Sequence, residues 1–285
     1  MKRVSVAELT IFDPQKKYVL LPFFRAGEPL ENGAPVWGMT LRAAHSMRFR
    51  WNETNGVRIK MLSEIAGRGQ KHALTPVQLE LIHSHIVYDV SSFSDTFGLQ
   101  GDGMITRQAE LLPVVTVADC MPVFLYDQTT GVFGVVHSGW KGTGIIGEAV
   151  RMAEERYGAD PRNICIAIGP HIRSCCYVVN SGRAEYFRRN FCGDCVTPYE
   201  PERDGGEAQN WNRDGGTLYR LSLEKANLAV LDKAGILDEN ITVADDCTSC
   251  CGIFGSFRRE TSGVPEADKW LGFTVQAAFC GYMPL

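Results

Sequence analysis

Three side chains in this sequence combine metal-binding chemistry with a local setting in which they can converge: His83, Cys120 and His137. His83 lies in the run Leu81-Ile82-His83-Ser84-His85-Ile86-Val87. Cys120 follows Ala118-Asp119 and precedes Met121-Pro122-Val123, where Pro122 restricts the residue before it and interrupts a strand ladder. His137 ends the apolar run Gly134-Val135-Val136-His137 and leads at once into Ser138-Gly139-Trp140-Lys141-Gly142, where two glycines frame a helix entry. Turns beside ligating or nucleophilic side chains are common places for sites. Imidazole nitrogen and thiolate suit Zn2+, and three protein ligands leave a fourth position for a water that ionises near neutral pH.

Cys120 and His137 are seventeen positions apart, a spacing that two antiparallel strands turning near residues 127–131 bring side by side. His83 must come from a different strand. In a strand, His83 and His85 share a face, so either can be the third ligand. A plainer reading stands beside this one: a cysteine in a Val-rich strand is commonly a core residue, and a histidine before a turn is commonly a hydrogen-bonded structural one.

The elements that must position these groups are mostly strands. Apolar, β-branched runs bounded by turn residues span 18–24, 79–90, 112–126, 131–137, 164–168, 241–244 and 272–279. Two amphipathic helices are expected between them. One covers 143–157, with Ile145, Ala149, Met152 and Ala153 on one stripe and Gly158 as its end. The other runs from a Ser222 cap to Gly235, burying Leu223, Ala226, Val230, Leu231 and Ala234. The stretch 198–216 is polar and rich in Gly, Pro and Asp, so it reads as a surface excursion from one α/β domain over 1–285.

The chain has 285 residues, 45% hydrophobic, which is ample for a buried core. Its 22% charged residues and net charge of -4 leave no strong field to collect nucleic acid or an anionic membrane, so small ligands are the expected partners. The basic start MKRVSVAELTIFDPQKKYVLL is broken by Glu8, Asp13, Lys16 and Lys17 and lacks a signal-peptide core, and no segment reaches the ~20 apolar residues of a membrane span. A cytoplasmic protein, monomeric or homodimeric, is the expectation. Ten cysteines without an export signal read as reduced thiols, mostly small buried hydrophobes. Cys247-Thr248-Ser249-Cys250-Cys251 and Cys192-Gly193-Asp194-Cys195 are conceivable halves of a four-cysteine zinc site.

At these residues the sequence resembles the YfiH-like family, bacterial proteins long described as multicopper polyphenol oxidases or laccase-domain proteins and understood as zinc-dependent purine nucleoside enzymes. The resemblance runs in order from Gly38-Met39-Thr40-Leu41-Arg42 to Gly263. It takes in Asp102-Gly103-Met104-Ile105-Thr106, Ala118-Asp119-Cys120-Met121-Pro122-Val123, Val136-His137-Ser138-Gly139-Trp140-Lys141-Gly142, Ile168-Gly169-Pro170, Cys176-Tyr177-Val178-Val179, Cys247-Thr248 and Phe257-Arg258-Arg259. It implies His83, Cys120 and His137 as zinc ligands and a layered α/β/β/α sandwich with mixed sheets, shared with a cysteine-histidine deamidase toxin domain. Three positions depart from the family pattern. Leu81 stands in place of the usual Gln, Ser262-Gly263-Val264 lacks the family arginine, and Lys141 replaces the more frequent Arg.

The activities implied are phosphorolysis of purine nucleosides, including methylthioadenosine, and deamination of adenosine. For deamination, Asp119 is the neighbouring carboxylate to test as a proton carrier, although alternation along a strand points it away from Cys120. Phosphorolysis needs cationic groups on phosphate, for which Arg42 is the first choice, with Lys141 and Arg258 as partners. Gly139, Gly142 and Gly144 could offer backbone N–H groups to an anion. His171 and Cys175 fall near the family's cleft by motif position and read as packing residues. Two other chemistries compete. A copper oxidase needs on the order of ten imidazoles, and this chain has six His with one His-x-His pair, His83-Ser84-His85. A metal-free hydrolase would use Cys120 as nucleophile and His137 as base on an amide such as a cell-wall precursor. A non-enzymatic nucleotide-binding scaffold is the third alternative.

Overall fold

The computed structural model describes residues 1–31, 33–69, 73–200 and 216–285. Seven strands form the larger sheet in the order β1 (Lys2–Val4), β16 (Ile241–Ala244), β12 (Ile164–Ile168), β10 (Met121–Asp127), β11 (Phe133–Ser138), β8 (Gly103–Thr106) and β7 (Val87–Asp89). Parallel pairing at its two edges flanks an antiparallel centre, so the sheet is mixed. A five-stranded sheet follows the order β2 (Tyr18–Pro22), β5 (Val36–Thr40), β17 (Gln276–Gly281), β9 (Leu111–Val117) and β6 (Thr75–Gln78), antiparallel except for β9 with β6. Smaller ribbons pair β13 (Val178–Asn180), β15 (Leu218–Leu221) and β14 (Val196–Pro198), and β3 (Phe24–Arg25) with β4 (Glu28–Pro29).

The two large sheets face one another across an apolar layer. Trp37, Met39, Val115 and Val117 from the smaller meet Phe124, Phe133, Val135 and Ala167 from the larger, with Trp37 stacked on Phe124 at 5.2 Å. Side chains such as Phe124 and Phe133, fully removed from water, each contribute about 1.5–3 kcal/mol of burial free energy. The outer face of the larger sheet packs Val123, Leu125 and Ile166 on helices α2 (Ile145–Tyr157) and α4 (Leu223–Lys233). The outer face of the smaller sheet packs Leu112, Val114 and Phe279 on Met61, Leu62 and Ile65 of α1 (Gly56–Gly67). Helix, sheet, sheet and helix are therefore layered as the resemblance implied.

Both expected helices are present. Gly158 ends α2 at φ +69°, and the Ser222 hydroxyl caps α4 by accepting from the Lys225 N–H at 3.1 Å. Two others, α1 and α3 (Ser181–Asn190), carry weaker sequence signals. In α1, Val57 and Ile59 are exposed while Arg58 is buried, with its guanidinium on the Met47 carbonyl and Gln78, so the apolar positions do not trace one face. In α3 only Ala184 and Phe187 are buried among charged neighbours.

Two expected strands break where the site needs them to. The run 79–90 is not continuous, because β6 ends in the smaller sheet and β7 begins in the larger. The run 112–126 likewise divides into β9 and β10, which lie in different sheets. The strand expected over 272–279 is shifted to Gln276–Gly281. Of the excursion expected over 198–216, residues 201–215 lie outside the described residues. No helix among the described residues is long and apolar enough to cross a membrane.

Candidate active site

Both sheet-to-sheet crossings end at the same place. At 118–120 the chain leaves β9 for β10 through a corner in which Asp119 takes φ +83°, a left-handed conformation that Asp tolerates better than most residues. The corner sets Cys120 immediately before Met121, which pairs with Ser138 on the neighbouring strand, while Pro122 pairs with His137. This is the hairpin expected from the seventeen-residue spacing. Its turn is fixed by Asp127, whose carboxylate accepts from Thr129 and Thr130 while its carbonyl accepts the Gly131 N–H.

The other crossing, from β6 to β7, carries His83. It is a loop because the Asp102 carboxylate gathers its backbone. Oδ1 accepts the His83 N–H at 3.0 Å, and Oδ2 accepts the Ser84 N–H at 2.6 Å and the Ser84 hydroxyl at 2.7 Å. Those N–H groups are unavailable to a strand ladder, and His83 itself adopts φ +59°. His83 and His85 consequently do not share a strand face. The His85 ring lies 3.1 Å from the Lys141 carbonyl, outside the ligand cluster.

Asp102 also fixes His137. Its Oδ1 is 2.8 Å from His137 Nδ1, and its carbonyl accepts the His137 N–H at 2.7 Å. Asp102 is fully buried; burial raises its pKa, but His137 and the Ser84 donors outweigh that and hold it below the usual carboxylate range. With Nδ1 engaged, Nε2 of His137 is left to face Cys120 and His83. One ligand atom from each of His83, Cys120 and His137 lies within 4.8 Å of the others. Tetrahedral zinc holds mixed N and S ligands about 3.3–3.7 Å apart, so a small contraction closes this set on one ion. Burial would push the Cys120 thiol up, yet His137 first and His83 second bring it down to about 6. Burial would lower His137, but Cys120 and Asp102 raise it to about 10. The two groups thus favour each other's charged forms, the thiolate and the imidazolium.

Gly139 shows how closely the chain wraps this cluster. A Cβ there would lie 2.9 Å from Cys120 Sγ and 3.1 Å from His83 Cδ2. The donor set and this cradle fit a metal ion of the kind expected.

The cluster sits in the wall of a cavity of about 570 Å³. Trp140, Tyr177, Phe257 and Phe273 give it aromatic walls, and Arg48, Arg50, Lys141, Arg183 and Arg258 make it cationic. Arg50 is paired with Glu80 at 3.0 Å. Arg183 stacks over Trp140 at 4.2 Å and donates to the Tyr177 hydroxyl at 3.3 Å, and the Lys141 ammonium lies 5.4 Å from the same Trp140 ring. Neither Lys141 nor Arg183 forms a salt bridge among the described residues. The Arg258 guanidinium packs on Tyr177 and donates to the Val178 carbonyl at 3.3 Å.

Several expected roles shift. Arg42 does not line the cavity; it is half-exposed in a short 3-10 turn and paired with Glu260 at 3.3 Å. Asp119 lines the cavity, but its carboxylate accepts the Thr248 hydroxyl and the Arg258 N–H, each at 2.6 Å, so it braces the corner before Cys120. Burial raises its pKa despite those donors. Of the glycines after His137, Gly144 has its N–H taken by Asn227, and a Cβ on Gly142 would lie 2.9 Å from the Ser84 carbonyl. His171 is buried and Cys175 exposed, and neither lines the cavity. Sequence reasoning assigned no role to Asp102, although it stands in a family motif, and it missed Arg183, which lies in a helix without a strong pattern.

The family model for the multi-copper polyphenol oxidoreductase laccase matches residues 59–265. A relative named purine nucleoside phosphorylase YlmD, from Geobacillus stearothermophilus, is 33% identical over 174 residues, which is 60% of this chain and 59% of that protein. The chain therefore spans less than two thirds of that relative's length. A purine nucleoside phosphorylase from Borreliella burgdorferi is 31% identical over 195 residues, covering 67% of this chain and 77% of the relative. Among solved structures, the Bacillus licheniformis hypothetical protein YfiH superposes with a TM-score of 0.71 at 25% identity, covering 87% of this chain and 92% of that one. YlmD from Geobacillus stearothermophilus gives 0.68 at 24% identity and shares the fold. With the family model matching most of its length and the same layered sheets beneath, this chain belongs to the multi-copper polyphenol oxidoreductase laccase family, of which YfiH is a structural relative.

Proposed function

We propose that this chain is a zinc-dependent purine nucleoside phosphorylase, with His83, Cys120 and His137 as the metal ligands and 1–285 forming one catalytic domain. The observation that carries the reading is the placement of a two-imidazole, one-thiolate cluster in the wall of a cavity that is both aromatic and cationic. Held by His83, Cys120 and His137, a zinc ion would supply Lewis-acid polarisation of a substrate oxygen. The chain's own groups do the rest. Rings such as Trp140, Tyr177 and Phe273 offer faces on which a purine stacks. Lys141 and Arg183, free of carboxylate partners among the described residues, hold phosphate as it attacks the sugar C1′. The C1′–O bond forms as the bond from C1′ to the purine nitrogen breaks, giving free base and sugar 1-phosphate. Relatives named purine nucleoside phosphorylase support the same reading.

Deamination of adenosine is the weaker activity in this reading. It calls for a mobile carboxylate, and Asp119, the one acid among the described lining residues, is held by Thr248 and Arg258. A multicopper centre is not favoured, since the metal-binding groups among the described residues contain only two imidazoles, both in this cluster.

Incubation of the purified protein with adenosine, inosine, guanosine and methylthioadenosine, with and without phosphate, followed by mass spectrometry, tests the proposal. Phosphate-dependent release of base and sugar phosphate, lost on chelation, is the expected result. Inosine formed from adenosine without phosphate would instead mark a deaminase. Turnover of an amide that survives a strong chelator, with covalent labelling of Cys120, would replace the proposal by a Cys120–His137 hydrolase.

A further inference from the structure

A second group of sulfurs, separate from the cluster just described, comes together where two loops leave the ends of neighbouring parallel strands β12 and β16. Cys175, Cys176, Cys247 and Cys250 have Sγ atoms all within 4.8 Å of one another, with Cys176 and Cys250 3.2 Å apart and Cys175 and Cys250 3.6 Å apart. All four are free thiols. The loops are joined by a bridge between His171 and Cys247, in which the Thr248 N–H donates to the His171 carbonyl at 3.1 Å. The conceivable CxxC half at Cys247 and Cys250 therefore faces the vicinal pair Cys175-Cys176. Cys192 and Cys195 are not part of the group; Cys195 is buried, with its thiol on the Cys192 carbonyl.

Four thiolates about 2.3 Å from one zinc lie about 3.8 Å from each other, which suits these separations. An iron–sulfur cluster spreads its cysteines over several irons and holds them farther apart. Arginine side chains hold the backbone of both loops, and one backbone donor faces a sulfur. Arg220 donates to the Ser174 and Cys175 carbonyls at 2.8 and 2.6 Å, Arg259 donates to the Thr248 and Ser249 carbonyls at 2.6 and 3.2 Å, and the Arg173 N–H points at Cys247 Sγ at 3.4 Å.

We propose that Cys175, Cys176, Cys247 and Cys250 form a tetrathiolate site for a single Zn2+ ion, a staple distinct from the His83–Cys120–His137 centre. Binding replaces four S–H bonds by four Zn–S bonds and releases four protons, with no change in oxidation state. The staple bears on the cavity through its two loops. One carries Ile172 and Tyr177 into the lining, and the Ile172 N–H also donates to the Asp119 carbonyl at 2.9 Å. The other carries Thr248, which holds the Asp119 carboxylate.

Elemental analysis and native mass spectrometry of the full-length protein test this. The wild type is expected to bind about two zinc ions per chain, and C247S/C250S and H83A/H137A to lose one each. Because substitution at the loop can disturb folding, the decisive sample is folded H83A/H137A. Loaded with Co2+ in place of zinc, it is expected to develop the strong sulfur-to-metal charge-transfer absorption of a tetrathiolate centre. Its four thiols should also resist iodoacetamide until the metal is removed. This readout does not depend on what the first cluster binds or on any catalytic activity. Folded H83A/H137A that holds no metal and alkylates freely at these four cysteines overturns the proposal. So does a disulfide among them in the freshly purified protein, or iron as the ion they hold.

Discussion

Asp102→Asn is the most searching perturbation of the candidate centre, because one buried carboxylate orders both histidines. Oδ1 accepts from the His83 backbone and faces His137 Nδ1, while Oδ2 accepts from the backbone and hydroxyl of Ser84. An amide of the same shape has one acceptor end and one donor end. Placed with its NH2 toward Ser84, it sets a donor against an N–H that lies 2.6 Å from the present oxygen. Placed the other way, it sets a donor against the His83 N–H and forces His137 to accept at Nδ1, which moves the ring proton to Nε2 and removes the lone pair a metal needs. Either orientation leaves a buried donor unpaired, which costs about 1–3 kcal/mol of stability. Loss of the carboxylate behind a ligating imidazole typically weakens metal affinity 10–100-fold, equivalent to about 1.4–2.8 kcal/mol. Competition for zinc with a chromophoric chelator reads the affinity, and denaturant unfolding of the metal-free protein reads the stability. An Asp102→Asn protein that binds zinc as tightly as the wild type refutes the argument that this carboxylate sets the ligands.

Three further outcomes follow from the geometry and charge of the same cluster. Gly139→Ala places a methyl group 2.9 Å from Cys120 Sγ and 3.1 Å from His83 Cδ2, forcing a shift of about half an ångström in a site that tolerates about 0.2 Å; zinc content after dialysis against a weak chelator should fall well below wild type while the far-UV circular dichroism spectrum is unchanged. In metal-depleted protein, alkylation of Cys120 should reach half its limiting rate near pH 6, since the thiol is brought down to about that value. Because that pKa is depressed, its contribution to stability is present at high pH and is lost as pH falls through about 6. The raised pKa of His137 works oppositely, and its contribution is lost as pH rises through about 10. The metal-free fold should therefore resist urea best between these limits, and a midpoint that climbs steadily from pH 5 to pH 11 would contradict the thiolate–imidazolium pair.

What could be read in advance divides along the range of the interactions. The Cys120–His137 hairpin was legible because its signals are local: two apolar runs, a turn at Asp127 to Gly131, and a spacing that fixes the pairing. The place of His83, the proposed third ligand, was not legible from the strand pattern, since it is organised by Asp102, nineteen residues along the chain, and that dependence converts an apolar run into a loop. The same blindness to distant partners explains the cationic groups. Arg42 lies in a family motif yet pairs with Glu260 outside the cavity, whereas Arg183, on a helix with little periodicity, reaches Trp140 and Tyr177 inside it. It also explains why the sequence set Cys192 and Cys195, rather than Cys175 and Cys176, beside Cys247 and Cys250 as a conceivable pairing, for only the adjacency of β12 and β16 brings Cys175 and Cys176 within reach.

The features that misled the strand reading are also what places the centre. A continuous strand over 112–126 or 79–90 would have kept Cys120 or His83 within one sheet, alternating between its two faces. Breaking each run at a left-handed residue, Asp119 or His83, carries the chain from one sheet to the other and leaves its polar side chains at the rim of the sandwich. There they meet His137 at the end of β11, beside a cavity rather than inside the apolar layer. The strain of two non-glycine residues at positive φ, of order 1–3 kcal/mol each, is offset by Asp102 on one corner and by Thr248 and Arg258 on the other. Replacing either brace should therefore be felt first at the proposed ligand it supports, His83 for Asp102 and Cys120 for Thr248 and Arg258, before the sheets themselves loosen.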